Sequence, residues 1–136
     1  MRFSVPVIGV AALFFLGFAS VGAAQEPGWY STAQADSGAD GYYHRCAACH
    51  SLHLEGHKGP ALMGSRFFSH FGGKKLSKLW AETSEKMPTN APGSIPKPEA
   101  INIVAYVLRY NGLPGGKALT ADAGDLDRVL PSKPPK

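Results

Sequence analysis

Cysteine is nearly absent from this 136-residue chain, which has two, at positions 46 and 49. With no third cysteine, these two cannot supply the two cysteine-containing pairs usual in a structural zinc site. Methionine is scarce as well: beyond the first residue there are only Met63 and Met87. No strand-like alternation of apolar and polar residues surrounds the cysteines, so the βαβ context of a thioredoxin-like dithiol is missing. The interleaved aromatic and basic residues of nucleic-acid modules are missing too, and nucleic acid is not an expected partner. The chain has no internal repeat.

The one long uncharged stretch lies at the start. Arg2 is the only early charge, Val5 to Phe18 is almost wholly apolar, and Val21-Gly22-Ala23-Ala24 offers small residues for cleavage. Residues 1–24 therefore read as a secretory signal, with Gln25 as the mature N-terminus. Uncleaved, Phe3 to Gln25 is just long enough to act as a membrane anchor. Either way the remaining 112 residues are expected outside the cytoplasm, in the bacterial periplasm. That length suits one small domain with a modest core, which a buried prosthetic group would enlarge.

Charge is uneven along the chain. Without the leader there are 13 basic and 10 acidic residues, a bland net +3. Between Gly56 and Ala118, nine basic residues face only Glu82, Glu85 and Glu99, so this middle region carries +6. Such a face is either simply solvated or steers the molecule toward an acidic surface on a protein partner.

The two cysteines belong to Cys46-Ala47-Ala48-Cys49-His50. This spacing is the attachment signature of c-type haem, in which each thiol adds across a porphyrin vinyl group to give a thioether. His50 follows at once and is placed to ligate the iron as proximal ligand. A zinc site would need four ligands, which His44, His53, His57 and His70 would have to complete.

The polar segment 25–37 reads as a flexible lead-in. A first helix is expected from about Ser37 or Asp40, either of which can cap it, into the haem motif. His53 to Ser65, with Gly56, Gly59, Pro60 and Gly64, reads as loop, and Arg66 to Phe71 as a short helical turn. Leu76, Leu79, Trp80 and Thr83 form one stripe of a helix over Lys74 to Lys86, which Pro88 ends at Met87. A last helix runs from about Pro98 to Tyr110 with Ile101, Val104, Ala105 and Leu108 buried, and Asn111-Gly112 stops it. Residues 117–136 read as a partly disordered extension ending in a Pro and Lys tail.

The second axial ligand decides what the iron can do. Met63, 13 residues past His50, falls on a loop on the proximal side and reads as core filler. Met87, 37 residues past His50 and on a Pro-rich loop, has enough chain to pass round the haem edge and present its sulfur to the opposite face.

Gly38 and Tyr42 stand eight and four residues before Cys46; Gly59-Pro60, Leu62 and Gly64 follow, then Met87-Pro88 and an aromatic-bearing last helix. On these residues the chain resembles the class I (mitochondrial-type) cytochromes c over Ser37 to Gly116, and a domain of 38–116 is expected. Lys86-Met87-Pro88, Ala91-Pro92-Gly93-Ser94 and Ile103 to Gly116 resemble more narrowly the cytochrome domains of quinohaemoprotein alcohol dehydrogenases and related stand-alone periplasmic cytochromes. The resemblance implies an all-α fold of three to four main helices round one covalent haem c. It implies that Gly38 packs on the last helix near Tyr106, and that the Pro60 carbonyl accepts a hydrogen bond from His50, with Gly59 letting the loop turn close to the porphyrin. Pro96 and Pro98 depart from the polar cap and acid common in relatives, and Phe71 stands where Trp is common.

The site residues read from the chain are thus Cys46, Cys49, His50, Pro60 and Met87, with His50 and Met87 on the iron. Arg66 and Trp80 are candidates for holding the propionates. The expected activity is non-enzymatic: one-electron transfer on a low-spin haem between a dehydrogenase and a respiratory acceptor. Two alternatives stay open: a haem subunit of one dehydrogenase complex, and a peroxidase or gas-binding protein whose sixth ligand is displaced.

Overall fold

Ser31 sits in extended backbone ahead of Thr32, and its hydroxyl accepts the Gln34 amide at 3.3 Å while the Gln34 side chain accepts the Ser31 amide at 3.2 Å. This reciprocal cap, worth about 1 kcal/mol, starts helix α1, Thr32–Arg45, in the computed structural model, which describes residues 27–136. The leader 1–24 lies outside the described residues.

The start of α1 corrects the expected one. Ser37 and Asp40 are not caps but exposed or nearly exposed positions within the helix. Gln34 decides the matter, because its amide also bonds Leu119 in both directions at 2.7 Å, a contact across 85 residues. The lead-in is likewise fixed rather than loose from Gly28 onward. Trp29 donates to Pro114, Gly116 donates to Tyr30, and the buried Tyr30 hydroxyl donates to Leu113, all within 2.8 Å.

α1 crosses α5, Lys97–Tyr110, and this crossing is the frame of the molecule. Pro96 caps α5 and Pro98 occupies its first turn, where the missing amides have no helical partner to lose. Gly38 lies where a Cβ would collide with the Asn102 carbonyl and approach the Tyr106 Cβ to 2.9 Å. Ala35, Ala100, Val104, Ala105 and Leu108 fill the contact completely. Arg45 grips Glu99 with two bonds of 2.9 and 3.1 Å at one end, and Arg109 reaches Asp36 and the Ala35 carbonyl at the other.

Between these two helices come α2, Ala47–His50; α3, Gly64–Phe71; and α4, Leu76–Ala81. α3 is amphipathic through three buried phenylalanines, Phe67, Phe68 and Phe71. α4 buries Leu76 and Leu79 as expected, but it does not continue as an α-helix to Lys86. It widens into a π-helical turn, Glu82–Lys86. Thr83 and Ser84 give the reason: their hydroxyls bond the carbonyls of Leu79 and Trp80 at 2.9 and 2.8 Å and compete with the amide ladder.

The chain after Gly116 is also packed, against the expectation of a loose extension. A short helix, α6, Ala123–Leu126, leads to an isolated antiparallel bridge between Val129 and Lys75. Gly73 and Leu76 donate to the carbonyls of Leu130 and Arg128, and Leu130 donates to Lys74. Leu130 is 1% exposed. Arg128 stacks on Trp29 at 3.9 Å and bonds the Pro27 and Gly28 carbonyls, so one side chain ties the C-terminal strap to the first described residues. Among the described residues the fold is all-α, with six helices and no strand.

Removing residues 128–136 should lower stability by about 2–4 kcal/mol, as burying a Leu is worth ~1.5–3 kcal/mol and several bonds go with it; chemical denaturation of the truncated protein checks this. At Asp125, burial raises the carboxyl pKa, but bonds from Thr120 and the Lys117 charge outweigh it and leave the pKa lowered. Its contribution is therefore complete above the ordinary carboxylate pKa of about 3.9 and fades as pH falls through the lower folded value. Asp125→Asn should lose stability at neutral pH and show a flatter acid limb in a pH series of thermal melts.

Candidate functional site

Cys46 ends α1 at a backbone corner, φ −122° and ψ −34°, and α2 is the single turn that follows. The His50 amide closes this turn on the Cys46 carbonyl at 2.9 Å, and Ser51 stops it with φ 67°. One turn therefore carries Cys46, Cys49 and His50 as a unit. The Tyr42 hydroxyl donates to the Ser51 carbonyl at 2.8 Å, pinning the far end of the motif to α1. Burial raises the Tyr42 hydroxyl pKa and keeps it a donor. Burial, with help from Glu99 and Cys49 and against Arg45, pushes the Cys46 thiol up to about 11, so it is neutral at pH 7.

His50 is 7% exposed, and its Nδ1 lies 2.8 Å from the Pro60 carbonyl. A carbonyl can only accept, so Nδ1 carries a proton, and in the neutral ring the lone pair lies on Nε2. Gly59 lies flat against the ring: a Cβ there would come within 2.6 Å of Cε1 and 2.8 Å of Nδ1. The Gly59 amide is held by Cys49 at 2.8 Å, which brings the loop back over the motif.

His50 and Met87 line the same cavity, of about 150 Å³. Cys46 and Pro60 line it too; Cys49 is exposed, one turn beyond Cys46. Met87 follows the π-helical turn in extended backbone and is half-buried. Leu62, Phe71, Leu79, Ile103 and Val107 supply the apolar walls. Met63 packs against the core and is not a wall residue.

The polar part of the lining is Arg66 and His70 from α3 with Glu82 and Thr83 from the π-helical turn. Of the two candidates for holding the propionates, Arg66 lines the cavity, whereas Trp80 packs against the core and is not a lining residue. His70 joins Arg66 in the lining, four residues further along α3, while remaining exposed overall. Burial, then the charges of Lys78 and Lys74, lowers its pKa and favours the neutral ring. His44, His53 and His57 are exposed, and among the described residues no three His, Cys, Asp or Glu side chains converge as a metal-binding set. Nothing there completes a zinc site around Cys46 and Cys49.

These features fit haem c: two thiols beside the imidazole, a lone pair held by a fixed tautomer, a glycine face where a side chain would collide, and apolar walls. Over residues 33–107 the chain matches the family described as cytochrome c oxidase, cbb3-type, subunit III. It belongs to that family. The family, with the two cysteines of the motif, implies covalently bound haem c and electron transfer through it. The fold is that of a class I cytochrome c. It is similar to a chain in the crystal structure of the sulfane dehydrogenase SoxCD from Paracoccus pantotrophus, with a TM-score of 0.58 and 23% identity over 78% of this chain. The match covers 56% of that chain, so this cytochrome spans little more than half its length. A comparison with curated proteins gives no match.

Gly59→Ala should force the loop off the His50 ring, because no rotamer relieves a Cβ at 2.6 Å from it. Visible spectra of the matured variant should show loss or mixing of the low-spin form; unchanged spectra would mean that the ring packing does not govern ligation.

Proposed function

We propose that this cytochrome carries one haem c joined to Cys46 and Cys49, with His50 and Met87 as the two axial ligands, and that it acts as an exported one-electron carrier rather than an enzyme. The presence of His50 and Met87 in the walls of one cavity carries the proposal. When bound, the haem supplies a reversible ferric and ferrous couple.

The protein's own groups set the terms of that couple. Pro60 orients His50 and makes it a stronger donor by accepting the Nδ1 proton's hydrogen bond. The Met87 thioether is a weak donor that favours the reduced state, raising the potential above that of a bis-histidine site. Leu79, Ile103 and Val107 exclude water, which raises it further. Were His50 and Met87 both to hold the iron, they would leave no place on it for a substrate, and little would have to move as the charge changes.

Residues 1–24 serve as the export signal to the periplasm in this reading, or as an anchor if retained; among the described residues no helix is long and apolar enough to cross a membrane. The excess of positive charge between Gly56 and Ala118 favours redox partners with acidic docking surfaces. A second reading, a haem subunit of a dehydrogenase complex, draws support from the narrower resemblance and from the fold shared with a chain of the SoxCD dehydrogenase. A stable partner that co-purifies at low salt and leaves at high salt favours the subunit; a monomer reduced by several donors favours the shuttle.

Met87→His should lower the potential by on the order of 0.1 V or more, within the ~0.8 V spanned by haem axial-ligand sets, with the haem still attached. A redox titration that finds no change removes Met87 as a ligand. Ferrous wild-type protein should not bind carbon monoxide readily, and rapid binding in a spectroscopic titration would favour the gas-binding reading.

A further inference from the structure

Ile103 and Val107 line the cavity from α5, and the next residue on that stripe, one turn on, is Asn111. An apolar side chain would continue the wall. Instead a carboxamide, 7% exposed, is buried there with every polar atom satisfied. Its Nδ2 donates to the carbonyls of Leu62 and Val107, and its Oδ1 accepts from the Gly64 amide, each at 2.9 Å. The helix end does not need this side chain. Gly112, at φ 79°, and the Leu113 amide on the Leu108 carbonyl already close it by backbone alone.

The bonds to Leu62 and Gly64 therefore act on the loop. Leu62 is held from both sides, its amide on the Leu54 carbonyl at 2.7 Å and its carbonyl by Asn111. Two residues earlier in the same loop is Pro60, whose carbonyl orients His50. The Gly64 amide is a first-turn donor of α3 with no acceptor inside the helix, and no other side chain caps that end, so Asn111 also places the helix that carries Arg66 and His70.

We infer that Asn111 is a positioning residue for the axial imidazole: by clamping Leu62 and Gly64 it sets the His50 to Pro60 hydrogen bond and through it the donor strength of His50. The inference rests on the haem reading above. A slackened loop lengthens that bond, weakens the imidazole as a donor and favours ferrous iron.

The test uses the haem-loaded protein. In Asn111→Ala, NMR should show solvent exchange of the His50 Nδ1 proton and the Gly64 amide accelerated by about tenfold or more, and the potential should rise while the low-spin spectrum persists. Arg109→Ala cuts the α1 and α5 tie without touching the loop. It should lower overall stability yet leave both the exchange and the potential as in wild type. If Asn111→Ala does not accumulate, Asn111→Asp keeps the acceptor for Gly64 but loses both donors. Exchange should then quicken at His50 while Gly64 stays protected. Unaltered exchange and potential in the Asn111 variants, or equal changes in Arg109→Ala, overturn the inference while the haem reading stands. Wild-type protein that carries no haem c refutes the haem reading itself, and this inference with it.

Discussion

The hydrogen bond between the His50 ring and the Pro60 carbonyl is the constraint on which the rest of the site depends. An imidazole on a one-turn helix can rotate about two bonds and exchange its proton between two nitrogens; a carbonyl at 2.8 Å removes both freedoms. That carbonyl has to stand still. The Gly59 amide on Cys49, the Leu62 amide on Leu54 and the Asn111 carboxamide on Leu62 and Gly64 hold the loop at successive points. Gly59 brings it within contact of the ring because nothing projects from its α-carbon.

The other walls answer to the crossing of α1 and α5. Its ion pairs lie partly in solvent, where such pairs contribute little. The wholly buried Ala35, Val104, Ala105 and Leu108 and the contact at Gly38 matter more, since they let two backbones approach closely. The crossing sets Tyr42 above the motif and turns Ile103 and Val107 toward the cavity. Met87 comes from a different direction, at the end of α4 and its π-helical turn, and the C-terminal strap is bonded to the start of that same helix at Gly73, Lys74 and Leu76.

What was legible in the chain was what short range dictates. The haem motif, the Gly59-Pro60 loop, the stripe of Leu76 and Leu79, and the stop at Asn111-Gly112 all follow from neighbours within a few positions. Two of the differences arose where a distant partner decided, and one where side-chain hydroxyls compete locally with the backbone. Ser37 and Asp40 are good caps by type, but Ser31 with Gln34 prevailed because Gln34 is also held by Leu119. Residues 117–136 are rich in small, charged and proline residues, and only the bonds of Arg128, Leu130 and Asp125 reveal that they pack. The π-helical turn reflects a local competition by Thr83 and Ser84 hydroxyls that an apolar stripe does not register.

By itself the sequence determined the chemistry: two thiols and an imidazole on one turn have their relation set by covalent spacing and helix geometry alone. It also favoured Met87 over Met63 as the sulfur expected at the iron. The tertiary structure brought Met87 into the same cavity as His50, and decided which nitrogen of His50 faces the Pro60 carbonyl and which residues hold the loop still. Those relations join groups tens of residues apart. The energy of such contacts depends on packing and on hydrogen bonds made only once the whole chain has closed, so no local pattern encodes them.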